Sequence, residues 1–199
     1  MSKAIEGVDY DKVFVLTDTN TLKLCWPTIQ NHDTSREAKI ITIAPTDEAK
    51  TLETLANVWS TLLQGGATRH SLLINLGGGM VTDLGGFAAS TFKRGMAYIN
   101  IPTTLLSQVD ASVGGKTGIN FGGLKNEIGV FSCARSVVLN SIFLRTLDYD
   151  NLLSGYAEML KHGLLSDEGH WSELLHFDIA QPNFKTLQQL VAKSVCIKE

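Results

Sequence analysis

Residues 71–86 read Ser71-Leu72-Leu73-Ile74-Asn75-Leu76-Gly77-Gly78-Gly79-Met80-Val81-Thr82-Asp83-Leu84-Gly85-Gly86. An apolar run of strand length meets three glycines, and a stretch of small and apolar residues follows to Thr91, suited to a helix lying close on a sheet. Strand, glycine turn and helix together bring bare backbone N–H groups and a helix N-terminus against a phosphate. Glycine is needed there because a side chain would block the approach or forbid the backbone angles. The spacing is not that of the G-x-G-x-x-G fingerprint, since Thr82 holds the third glycine position. These residues alone leave two readings open, a phosphate cradle and a plain tight turn.

Working outward, residues 13–17, 39–43, 97–101 and 136–140 read as further strands. A helix is expected from about Asp47 to Gln64, capped by Thr46, with Leu52, Leu55, Val58 (or Trp59) and Leu62 on its apolar face and Gly65-Gly66 as its stop. Strands alternating with helices imply right-handed βαβ units on a parallel sheet. Past Leu147 the composition turns helical, over 149–166, 168–177 (with Gly169 a weak point) and 183–199. The expected fold is therefore α/β, a Rossmann-like mostly parallel sheet with helices over residues 1–147, followed by the beginning of an all-helical domain over 148–199.

The 44% apolar content and 18 glycines of the 199 residues suit such a fold, and a formal charge of −3 predicts no general affinity for nucleic acid or membrane. No run reaches a transmembrane length, and the N-terminus lacks a signal-peptide core, so a cytoplasmic protein is expected. Cys25, Cys133 and Cys196 lie far apart, as thiols of a reducing compartment do.

Chemistry concentrates beyond Pro102, where residues 103–126 are dense in Thr, Ser, Asp, Gly and Lys. Gly114-Gly115-Lys116-Thr117 invites comparison with a P-loop, but Asp110 stands where that loop needs its first glycine and would repel a phosphate. Lys116 and Lys125 suit an anionic ligand, and Asp110 suits a hydroxyl or a metal. Glu158 and His162, four apart on one helix, can face one metal, and Glu158 and Lys161 can equally form a surface pair. His32, His70, His170 and His176 show no partner spacing and read as surface or capping residues. Asp18-Thr19-Asn20 ends the first strand, either facing a ligand or forming an Asx turn.

Taken in order, Gly-Gly-Gly-x-x-x-Asp (77–83), Lys93-Arg94-Gly95, Pro102-Thr103-Thr104-Leu105-Leu106, Val109-Asp110-Ala111-Ser112-Val113-Gly114-Gly115-Lys116-Thr117, Leu124-Lys125-Asn126-Glu127-Ile128-Gly129 and Ala157-Glu158-x-x-Lys161 closely resemble the 3-dehydroquinate synthase family. The resemblance implies an NAD-binding α/β domain, a helical domain, a metal site between them and a homodimer. By position it assigns Gly78, Gly79 and Asp83 to the NAD pyrophosphate and nearby ribose. Thr103, Thr104, Lys125 and the segment from Phe143 to Thr146 join them at the cofactor. Asp18, Asn20, Asp47 and Lys50 fall at the adenosine end. Arg94, Asp110, Lys116, Asn126 and Lys161 would contact the substrate, Lys116 reaching the cofactor as well, and Glu158 would be a zinc ligand.

The implied reaction turns 3-deoxy-D-arabino-heptulosonate 7-phosphate, a phosphorylated sugar acid, into 3-dehydroquinate and phosphate. NAD takes a hydride, phosphate is eliminated, the hydride returns, and the ring reopens and closes as a carbocycle. The family continues past Glu199 into a segment with two further histidine ligands, so the chain as it stands is expected to bind NAD without turnover. Asp47 replaces a common Glu, and Ala49 a common aromatic. Another sugar-phosphate cyclase, a metal-dependent polyol dehydrogenase and a non-catalytic NAD-binding protein are the alternatives.

Overall fold

Val13, Phe14, Val15 and Leu16 are β-branched, aromatic or aliphatic, as a strand covered on both faces requires. In the computed structural model, which describes residues 2–198, they open β1 (Val13–Asp18), buried from Phe14 onward. The strand lies inside a five-stranded parallel sheet of order β2 (Lys39–Ile43), β1, β3 (Leu72–Gly77), β4 (Ala97–Pro102) and β7 (Ser136–Val137). Alternate residues serve opposite layers. Phe14, Leu16 and Leu73 pack with Leu55, Val58 and Leu84, whereas Val15, Ile74 and Ile99 pack with Cys25 and Phe143. Asn75 and Asn100 are side by side in the register, and Asn75 Nδ2 donates to Asn100 Oδ1 at 2.9 Å, so these amides cross the buried sheet as a pair.

Between β1 and β2 the chain makes three short helices that the sequence reading left unassigned, α1 (Thr19–Leu24), α2 (Trp26–Ile29) and α3 (Asp33–Arg36). The next helix, α4 (Leu52–Gln64), starts later than expected. Its cap is Thr51, whose hydroxyl accepts the Thr54 N–H, while Thr46 sits at φ 99 with no capping bond. Residues 47–49 form a separate 3-10 turn because the Lys50 carbonyl is taken by Asn120 N–H at 2.8 Å, which holds this segment away from α4. Leu52 is consequently exposed, and Leu55, Val58 and Leu62 form the buried stripe.

The helix α5 (Gly79–Thr91) lies so close to the sheet that a Cβ on Gly85 would come within 2.0 Å of Asn75 Oδ1. On Gly86 a Cβ would meet Thr117 Cγ2 at 2.5 Å, so the same helix also supports the next element. That element is an antiparallel hairpin, β5 (Lys116–Phe121) and β6 (Leu124–Phe131), where the sequence suggested only an irregular polar insert. Just before it, Ser107–Ala111 is π-helical. The strand expected over 136–140 shrinks to Ser136–Val137, with Val138 N–H still bonded to Asn100 O at 2.8 Å.

Helices α6 (Tyr149–Leu165), α7 (Glu168–His176) and α8 (Phe184–Lys198) complete the chain, and Gly169 does not interrupt α7. Glu199, which the sequence reading includes in the last helix, lies outside the described residues, as does Met1. Their core joins Met159, Leu174, Leu187 and Val191 to Leu105, Val109 and Leu144 from the first half. Gly155 permits this, since a Cβ there would lie 2.4 Å from Leu106 N. His170 is buried rather than superficial, with Nε2 3.4 Å from Ser194 Oγ on α8. Among the described residues no helix is long and apolar enough to cross a membrane.

Candidate functional site

Parallel strands carry their ligand sites at their C-terminal ends, and here β1, β3 and β4 end together at a cleft of about 630 Å³. Gly78 and Gly79 make its floor. Gly78 caps α5 without a side chain, so the first N–H groups of this 13-residue helix face the cleft through bare backbone. A Cβ on Gly78 would lie 3.0 Å from Thr104 Cγ2, and one on Gly79 3.0 Å from Ala111 Cβ, so any larger residue would fill the cradle. Thr103 is buried beside it, held by its N–H to Gly77 O at 2.9 Å, and its hydroxyl has no hydrogen-bond partner. A buried hydroxyl without a partner is costly, so this cradle and Thr103 fit a polar, anionic ligand such as a dinucleotide pyrophosphate.

Asp18, Asn20, Phe143 and Thr146 also line the cleft. Asp18 makes the turn and lines the cleft as well. Its Oδ1 accepts Asn20 and Thr21 N–H at 2.8 and 3.0 Å, capping α1, while it still lines the cleft. Asp47 and Lys50 line it too. Lys50 is buried, and its ammonium donates to Asp83 Oδ2 and to Asn126 Oδ1, each at 2.5 Å. Burial raises the Asp83 carboxyl above its ordinary range, and the Lys50 charge offsets this only in part.

Lys50, Asp83 and Asn126 are also one wall of a second chamber of about 540 Å³, under the hairpin. Asp110 and Lys116 line it, with Lys198 of α8. Lys198 Nζ donates to Asp110 Oδ1 at 2.5 Å. The sequence reading missed this lysine, although Lys198 falls three and four residues after the buried Val195 and Ser194 and so continues the inward face of α8. Three ammonium groups (Lys50, Lys116 and Lys198) and three carboxylates (Asp83, Asp110 and Glu127) thus line one chamber, with Lys50 and Asp83 shared by both cavities.

The remaining predicted residues lie outside these chambers. Lys125 is exposed and pairs with Asp47 at 3.3 Å. Lys161 on α6 donates to Glu158, and that bond raises the Lys161 pKa. The Glu158 carboxylate is also 3.4 Å from His162 Nε2. Burial holds His162 below its ordinary value, partly countered by Glu158. Among the described residues no three His, Cys, Asp or Glu side chains converge, so Glu158 and His162 fall short of a three-ligand metal site. Arg94, at φ 69, faces a separate depression with Arg69, His70 and Arg135. Of the thiols, Cys25 is buried at the cleft and Cys133 and Cys196 are exposed, all three free.

A parallel sheet with a glycine-floored cleft at its strand ends and a chamber of paired lysines and carboxylates beside it defines a Rossmann-like α/β protein. A solved 2-deoxy-scyllo-inosose synthase, complexed with carbaglucose-6-phosphate, NAD+ and Co2+, shares the fold at TM-score 0.87 and 23% identity, over 96% of this chain and 54% of that one. The 2-epi-5-epi-valiolone synthase from Streptomyces hygroscopicus, with NAD+ and Zn2+ bound, matches at TM-score 0.79 and 27% identity, over 97% and 55%. The model of the family described as "3-dehydroquinate synthase N-terminal" matches residues 40–154, and the chain belongs to the 3-dehydroquinate synthase family. The 3-dehydroquinate synthase of Parabacteroides distasonis is 51% identical over 195 residues, which are 98% of this chain and 55% of that protein. The chain spans about half the length of the curated relatives it matches.

Proposed function

We propose that the chain is the cofactor-binding half of a 3-dehydroquinate synthase, acting in the cytoplasm as a homodimer with a domain boundary after Leu147. The reaction is conversion of 3-deoxy-D-arabino-heptulosonate 7-phosphate to 3-dehydroquinate and phosphate. One observation carries the reading. The glycine cradle with its orphaned Thr103 hydroxyl shares a wall of Lys50, Asp83 and Asn126 with a chamber where Lys116 and Lys198 stand among carboxylates. A dinucleotide fits the first space and a phosphorylated sugar acid the second.

NAD, when bound, supplies reversible acceptance of a hydride. The residues of the chain would do the rest by holding and orienting. The α5 N-terminus and Thr103 would take the pyrophosphate, while Asp18 and Asp47 would accept from ribose hydroxyls. Lys116 and Lys198 would fix the anionic groups of the substrate, which sets the reacting carbon against the cofactor wall. Asp110, freed from Lys198 as the substrate binds, would take a hydroxyl proton or hold it in place. Glu158 would offer a metal one carboxylate. By itself the chain would then bind NAD without turnover.

The test is calorimetric titration with NAD beside an Asp83→Ala, Thr103→Ala variant. Saturable binding by the parent, lost in the variant, is expected, and a folded parent that takes up no heat overturns the cofactor assignment. A longer protein containing this chain is then assayed for phosphate release from the heptulosonate. Release only from another sugar phosphate would favour a different cyclase, a second reading motivated by the shared fold with 2-deoxy-scyllo-inosose synthase.

A further inference from the structure

In the hairpin, Ile119 pairs with Ile128 and Phe121 with Leu124, so Asn120 alone stands opposite Lys125, Asn126 and Glu127. The surplus on β6 bulges, and Asn126 takes up φ 61, a left-handed angle that asparagine tolerates better than most residues. Asn120 fills the gap the bulge leaves. Its Oδ1 accepts the Asn126 N–H at 3.1 Å. Its Nδ2 donates to Asp47 O at 3.2 Å and Oδ2 at 3.1 Å, and its backbone N–H donates to Lys50 O at 2.8 Å. The partners fix which way the amide points, because a flipped amide would set oxygen against the Asp47 carboxylate and NH2 against an N–H. On the far side of the same gap, Lys50 Nζ reaches Asn126 Oδ1. Left-handed non-glycine residues, Thr46 and Asn126, stand on both sides of this junction, and such angles persist where the surroundings over-determine them.

We propose that Asn120 is a positioning residue, which locks the bulge at Asn126 to the Asp47–Lys50 turn and thereby holds the Lys50 ammonium in the wall shared by the two chambers. Without its amide the bulge loses the bond that orients Asn126, and Lys50 keeps only Asp83. An ammonium released from that wall swings toward solvent. The locking follows from the chain's own hydrogen bonds, and its bearing on catalysis rests on the cofactor reading above.

The test follows acylation of each lysine of the chain by acetic anhydride, read residue by residue by mass spectrometry, with exposed Lys185 as internal standard. In Asn120→Ala, Lys50 is expected to react about tenfold faster relative to Lys185, the equivalent of one lost hydrogen bond. Asn120→Asp, which sets two carboxylates together, acts the same way. Adding Asp47→Asn to it exchanges donor and acceptor and is expected to return Lys50 to within about twofold of the parent. Where Asn120→Ala does not fold, Asn120→Ser replaces it. An unchanged Lys50 rate in the single variants overturns the proposal. So does a rise shared by all lysines, or a double variant no slower than Asn120→Asp. NAD calorimetry on the same proteins separates the two ideas. If the parent binds no NAD the cofactor reading falls, while the Lys50 rates still decide the role of Asn120.

Discussion

On one side of the cleft, the glycine turn presents bare backbone, β3 is buried along its whole length and α5 buries about half of its residues against the sheet. On the other, β6 is exposed along its whole length, and the hairpin is tied to the Asp47–Lys50 turn by polar side chains. The first wall is rigid because close packing leaves no room for alternatives. The second is held by a few directional bonds and can respond to what occupies the space between. A cofactor site of fixed shape and a substrate site able to adjust would each gain from that division.

The sharpest way to break the contrast is Gly85→Val, which drives a side chain into Asn75. A loss of about 3 kcal/mol and a fall in Tm of about 10 °C are expected in thermal unfolding. A drop no larger than that of a hairpin substitution would show that the first wall is not the rigid one. Next comes Thr103→Val, which removes a hydroxyl that the fold itself leaves unpaired. NAD affinity should fall about tenfold while Tm holds or rises, since no internal bond is lost. Weaker stability with unchanged affinity would point to a structural hydroxyl instead.

In the hairpin tip, Gly123 has φ +84 and open space around its α-carbon. Gly123→Ala should therefore cost only about 1 kcal/mol in urea unfolding, the strain of the backbone angle alone. The smallest effect concerns His162, whose folded pKa lies below its ordinary 6.5 because burial favours the neutral ring. Its contribution to stability is complete above 6.5 and is lost as the pH falls through that value towards the lower folded one. His162→Phe should flatten the fall in urea midpoint between pH 7 and 5.5, and an unchanged slope would assign that fall to other groups.

The first wall was legible in the sequence because its causes are local. An apolar run, three glycines and a stretch of small residues already specify strand, turn and close-packed helix. The hairpin was not, since the bulge at Lys125–Glu127 breaks the alternation by which strands are read, and β6 has no buried face to reveal it. The expected cap at Thr46 gives way to Thr51 for a similar reason. Both precede good helix formers, and only the distant Asn120 decides between them. Gathering Asp18, Asp47, Gly78, Asp83 and Thr103 at one cleft follows from parallel strands ending together, which sequence order implies. The pairing of Lys198 with Asp110 spans 88 positions and left no motif to find.

The core shared by the two halves has a consequence for the timing of synthesis. Leu105, Val109 and Val113 find their cover in Leu187, Val191 and Val195, roughly eighty residues later. At about 5–20 residues per second on the ribosome, that apolar face waits several seconds in water after the sheet beside it can already close. The nascent chain therefore passes through an interval in which a finished sheet carries an uncovered greasy edge, and any holding factor that shields it has those seconds in which to act.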